Sequence, residues 1–179
     1  MSSLTVYHQS SPDVPNKLLT HGEDIAATLR DIGVGFERWS VERPVQPGMA
    51  VEEVIAALQP QLDALMRGRD YAALEVHSQA RARTYGDEPS TAGLEELHSV
   101  EAEGHLLVAG RGLFNLHVGD YVYAVQCEKN DLLSWPAGTR YWFDRGEFPH
   151  LVALSMRPQG RAAVPSGDDI AGRFPRLED

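Results

Sequence analysis

Cysteine is nearly absent. Cys127 stands alone, so no intrachain disulfide is available and secretion through an oxidising compartment has no support. Lysine is almost as scarce, at Lys17 and Lys129 only. No apolar run reaches the roughly 20 residues that cross a membrane, and no charged-then-apolar leader opens the chain over Met1 to Gln9. The expectation is a soluble, cytoplasmic protein. Positive charge is in deficit too: 16 Lys and Arg against 26 Asp and Glu leave a formal charge of −10 and a pI near 5.1. Nucleic acid and anionic membrane surfaces demand clustered basic side chains, so neither is expected as a partner.

With 179 residues the chain has room for one substantial core and too little for two. Residues 1–179 are expected to form a single domain: helices and edge strands over 1–93, a barrel core over 94–157 and a tail over 158–179. Leu4 to Tyr7 alternates like an edge strand, and Gln9 to Lys17 is polar and turn-rich. Ile25, Leu29 and Ile32 recur at helical spacing before the stop signals Gly33 and Gly35. Phe36 to Val41 reads as a strand. Ala50 to Met66 carries the strongest helical stripe, with Val51, Val54, Ile55, Leu58, Leu62, Leu65 and Met66 on one face and a kink expected at Pro60. Arg81 to Ala92 reads as an exposed loop near the barrel mouth.

From Leu94 onward short alternating runs follow at even spacing, over 94–99, 103–109, 112–118, 121–127, 131–135, 140–145 and 150–157. Gly119 with Asp120 marks a tight hairpin, and Gly110 to Gly112 reads as another. This pattern predicts a mainly β barrel or jelly roll with α-helical additions in the N-terminal half. Gly167 to Asp179 reads as a short helix and a surface loop.

Several motifs go beyond periodicity: G-x-G-L-F at Gly110 to Phe114, L-H-V-G-D at Leu116 to Asp120, C-E-K-N-D-L at Cys127 to Leu132, and P-A-x-T-x-x-W-F at Pro136 to Phe143. F-E-R-W at Phe36 to Trp39 and G-D-D-I-A with P-R-L between Gly167 and Leu177 extend them to both ends. In these motifs the chain resembles the acireductone dioxygenase family of the cupin superfamily. The resemblance implies a cupin β-barrel. It also implies iron or nickel held by an H-x-H-x-x-x-E pattern and a later histidine before the W-F pair. Counted without a gap, those positions hold Leu97, Ser99, Glu103 and Tyr141 here. Only the glutamate is retained, so the chain reads as a divergent member lacking most of the family's ligands.

Leucine and a neutral serine do not replace imidazole donors usefully. The expectation that follows is a metal-independent enzyme, of lyase or isomerase type, that binds a small carbonyl or enol substrate in the barrel and needs no cofactor. Its catalytic candidates are Glu103, His105, Tyr141 and Ser99. A carboxylate beside an imidazole fixes its tautomer or shares a proton, and a phenol donates to a developing oxyanion. Trp135 and Trp142 are candidate aromatic neighbours. Two alternatives stand beside this reading. One is a non-catalytic small-molecule-binding cupin. The other is a metal-dependent dioxygenase whose iron or nickel sits in a rearranged site of His98, Glu103 and His105, reached through a bulge in the first barrel strand. His117, Cys127 and Asp131 read as structural, and His8, His21, His77 and His150 show no ligand spacing. A monomer or a homodimer paired through an open edge strand fits the sequence.

Overall fold

A computed structural model describes residues 1–80 and 86–178. In chain order the elements are β1 (Ser3–His8), β2 (Pro15–Leu19), α1 (Gly22–Arg30), β3 (Gly35–Arg38), α2 (Val51–Gly68), β4 (Ala73–Ala80), β5 (Leu97–His98), β6 (Glu103–Val118), β7 (Tyr121–Glu128), β8 (Asp131–Trp135), β9 (Arg140–Asp144), β10 (His150–Arg157) and β11 (Val164–Pro165). A 3₁₀ turn, Ile170–Arg173, follows.

The architecture is the expected mainly β, cupin-type barrel with helical additions, and its two walls share one strand. The first half of β6 pairs with β8 and β10, while its second half pairs with β7 and β9, every pair antiparallel. Gly110 to Gly112 is therefore not a hairpin turn. It lies inside a continuous strand of 16 residues, where Gly110 takes φ +77° and a Cβ would meet the His150 carbonyl oxygen at 2.2 Å. The backbone bends there from one wall into the other, with a register shift against β10 between Val152 and Ala153. The hairpin at Gly119 and Asp120 forms as expected, pairing Val118 with Tyr121.

Alternation sorts the side chains into three apolar groups. Leu107, Phe114, Leu116, Leu133, Trp135, Tyr141, Leu151 and Ala153 face the barrel interior, which Ile25 and Leu29 of α1 help to close. Helix α2 covers one wall from outside, with Val54, Leu58, Leu62 and Leu65 packed on Leu106, Val108, Leu132, Val152 and Leu154. The helix runs unbroken through the exposed Pro60. The C-terminal tail covers the other wall, with Ile170, Phe174 and Leu177 against Trp142, Val122 and Leu113.

Two further strands depart from expectation. β2 occupies part of the segment read as turns, and β4 was not anticipated, although Leu74 and Val76 point outward and alternate with Glu75 and His77. The predicted loop at Arg81 to Ala92 lies outside the described residues over 81–85. Beyond them Ser90 donates its backbone N–H to the Glu147 carbonyl, and Gly93 reaches the rim of the barrel cavity.

Candidate functional site

Strand geometry dictates what meets in the interior. On β6, Glu103 and His105 lie two residues apart and share the inward face. On β9, Tyr141 and Phe143 point inward while Trp142 and Asp144 point out, so Trp142 belongs to the tail contact and is no neighbour of the cavity. On β10 the inward series Leu151, Ala153, Ser155 continues to Arg157. On β4, Glu75 and His77 stand opposite Ser155 and Ala153. These side chains line a cavity of about 260 Å³ together with Leu97, Glu95, Gly93, Phe143 and Arg145.

Glu103 is fully buried and holds the centre of the network. Its Oε1 accepts from the Tyr141 hydroxyl at 3.0 Å, lies 3.2 Å from His105 Nε2, and pairs with Arg157 Nη2 at 3.0 Å. Burial by itself would raise this carboxyl, but the His105 hydrogen bond, the charges of His105 and Arg157 and the Tyr141 bond outweigh it, holding Glu103 below the usual carboxylate value. Its Oε2 has no partner among the described residues. Tyr141 is pushed well up, by burial first and then by the Glu103 charge, so it stays a protonated donor. His105 is engaged on both nitrogens, its Nδ1 lying 3.0 Å from the Ser155 hydroxyl, and its ring stacks on Trp135 at 4.5 Å between centroids. Burial pulls His77 below its usual value.

The structure thus brings together three of the anticipated residues, Glu103, His105 and Tyr141. It does not bring in Ser99. That hydroxyl is buried against the carbonyls of Thr139 and Pro136 and accepts the Thr139 backbone N–H at 3.0 Å, fastening the turn before β9. His98 lies exposed on β5, alternating with the inward Leu97, so the set His98, Glu103 and His105 does not assemble. His117, expected as structural, sits between the Glu96 carboxylate at 2.8 Å and the Gln9 side-chain oxygen at 2.9 Å. Asp131 ties Ser2, Arg38 and the Glu128 backbone together. Sequence reasoning missed Ser155, Arg157, Arg145, Glu75 and His77. The alternation over 150–157 carried the signal for the first two, and the unrecognised β4 hid the last pair.

Among the described residues no three of His, Cys, Asp and Glu come together as a metal site. A guanidinium, that of Arg157, already sits on Glu103. That donor set does not fit iron or nickel, which need several convergent nitrogen and carboxylate ligands.

Comparison with known proteins places these features in context. The model of the ARD/ARD' family matches residues 4–157. An acireductone dioxygenase of Pseudomonas syringae is 56% identical over the full length of both chains, and one of Pseudomonas fluorescens is 55% identical, again over the whole of each. A solved structure, described as acireductone dioxygenase from Bacillus anthracis with a cadmium ion in the active center, aligns with a TM-score of 0.70 and 18% identity, covering 92% of this chain and 98% of that one. These findings overturn the expectation of a metal-independent lyase or isomerase with no cofactor. Relatives of such high identity are named for dioxygenase activity, and the structural relative carries a metal ion in its active center. A few ligand positions do not decide the activity of a chain whose similarity to its relatives runs over its full length.

Proposed function

Because the chain belongs to the acireductone dioxygenase family, we propose that its barrel receives a small reductone, a molecule with an enediol beside a carbonyl. The dioxygenase reaction for which its relatives are named is then the activity to seek in this cavity. One observation carries the reading. Four of the seven buried side-chain polar atoms without a partner among the described residues, Glu103 Oε2, Trp135 Nε1, Arg145 Nε and Arg157 Nε, belong to residues in or beside the cavity. Leaving such an atom unpaired costs about 1–3 kcal/mol, and a ligand rich in hydroxyl and carbonyl oxygens offsets that cost.

Iron or nickel, when bound in this family, supplies a Lewis acid for the enediol and oxygen. The donors of this chain do not fit such an ion, and the part its own residues play is substrate handling. Arg157 is held in place by Glu103 and offers charge to an ionised enediol. Tyr141 and Ser155 line the same cavity. Leu97 and Phe143 give the ligand an apolar side and exclude water.

Binding without turnover is the second reading, and the Arg157–Glu103 pair favours it, since the pair neutralises the carboxylate that a metal would need. The test is calorimetric titration with acireductone in oxygen-free buffer, followed by oxygen uptake after loading the protein with ferrous iron or nickel. Binding together with uptake above a protein-free metal blank supports dioxygenation. Binding alone supports the second reading, and no binding removes both.

A further inference from the structure

Among the described residues, Arg145 is the arginine lining this cavity that forms no ion pair, although the charges of Glu75 and Asp144 act on it from farther off. Arg157 is paired with Glu103 at 3.0 Å and with Glu75 at 3.6 Å, and Glu75 also lies 3.6 Å from His77. Arg145 follows β9 at the cavity wall, half-buried, where a guanidinium offers five N–H donors. Among the described residues it uses one, from Nη1 to the Gln79 side-chain oxygen at 3.3 Å, and its buried Nε has no partner there. Among the described residues no carboxylate stands within ion-pair distance of it. The rim acid Glu95 is exposed, so solvent screens its charge. A planar, permanently charged fork with open donors is matched by a carboxylate, which accepts two parallel N–H bonds.

Resting on the reductone reading above, we infer that Arg145 is a specificity-determining residue and that the ligand of this chain is a reductone bearing a carboxylate. The enediol lies toward Arg157 and Tyr141, and the carboxylate lies toward Arg145. The other wall residues explain why the second charge matters. Without a bound anion, the half-buried Arg145 guanidinium keeps one neutral hydrogen bond and only the more distant charges of Glu75 and Asp144 against its desolvation. The modest cavity volume limits the ligand to a small metabolite.

The experiment compares two reductone probes by oxygen-free calorimetry on the protein as isolated: dihydroxyfumarate, an enediol with carboxylates, and reductic acid, an enediol-one without one. Wild type is expected to bind dihydroxyfumarate at least about ten-fold more tightly, the scale of one charge-assisted bond. Arg145→Gln should lower that affinity by about ten- to a hundred-fold and shift reductic acid by less than about two-fold, and Arg145→Lys should restore part of the loss. Equal affinity of wild type for the two probes overturns the inference, as does an equal loss for both in Arg145→Gln. Reductic acid binding while dihydroxyfumarate does not overturns this inference and leaves the reductone reading intact. Failure of both probes to bind wild type overturns the reductone reading, and this inference with it. The wild-type ratio decides the matter even if a variant folds poorly.

Discussion

Arg157 Nη2 stands 3.0 Å from Glu103 Oε1, the same oxygen that accepts from Tyr141 and faces His105, while Glu103 Oε2 has no partner among the described residues. One carboxylate oxygen thus joins β6, β9 and β10 at the base of the cavity. The arrangement is both a structural tie and the reason that the centre of the barrel is already neutralised.

The first prediction tests that tie. Both partners are largely removed from solvent, so removing one leaves an uncompensated buried charge, which costs about 3–5 kcal/mol. Arg157→Met and Glu103→Gln are each expected to lose stability on that scale, and the double variant should lose less than the sum. Urea unfolding of the four proteins gives the coupling energy. Additive losses would show that the pair contributes no interaction of its own.

The second prediction concerns acid. Glu103 is held below its unfolded value, mainly by His105 and Arg157 acting against burial. For a carboxyl with a depressed folded pKa, the added stability is complete above the unfolded value of about 4.3 and is lost as pH falls through the folded one. Stability measured from pH 6 downward should therefore decline more steeply below about pH 4 in wild type than in Glu103→Gln. Parallel curves would contradict it.

The third prediction concerns Cys127, which is 1% exposed. Burial pushes its thiol well up, with Asp131 and Glu128 adding to the effect. The thiolate is the reactive form, so the native protein at pH 8 should resist a thiol reagent and react at once in guanidinium. Rapid native labelling would mean that the strand β7 opens readily around it.

How far the sequence exposed all this depended on the kind of signal. The inward pairing of Glu103, His105 and Tyr141 was readable because alternation is local: residues two apart on a strand share a face whatever the strand pairs with. The stripe of α2 was readable for the same reason. Ser99 failed because alternation gives direction and not distance, and its hydroxyl finds the Thr139 and Pro136 carbonyls before it reaches the cavity. Glu75 and His77 were hidden because they enter through the pairing of β4 with β10, a contact between strands some 70 residues apart in sequence that no local pattern announces. The activity was misjudged for a related reason: the ligand positions are a few residues, while the similarity to relatives spans the whole chain.

Gly110 supplies the last prediction, and it follows from the misread turn. A true hairpin glycine is chosen for its positive φ and has open space beyond it. Gly119 is of that kind, with φ +60° and nothing within 4 Å of a built Cβ. Gly110 has φ +77° and also faces the His150 carbonyl oxygen at 2.2 Å and Leu151 Cα at 2.9 Å, both on the paired strand β10. Alanine at Gly119 meets only the backbone preference, about 1 kcal/mol. At Gly110 it must also push apart β6 and β10, the strands that carry Glu103, His105, Ser155 and Arg157. Gly110→Ala should therefore lower the unfolding midpoint markedly more than Gly119→Ala does. It should also weaken reductone binding in whatever fraction stays folded, because the cavity wall moves with the strand pair. Equal thermal shifts for the two variants would mean that the bend relaxes without cost, and that the close approach at Gly110 does not hold the two walls of the barrel in register.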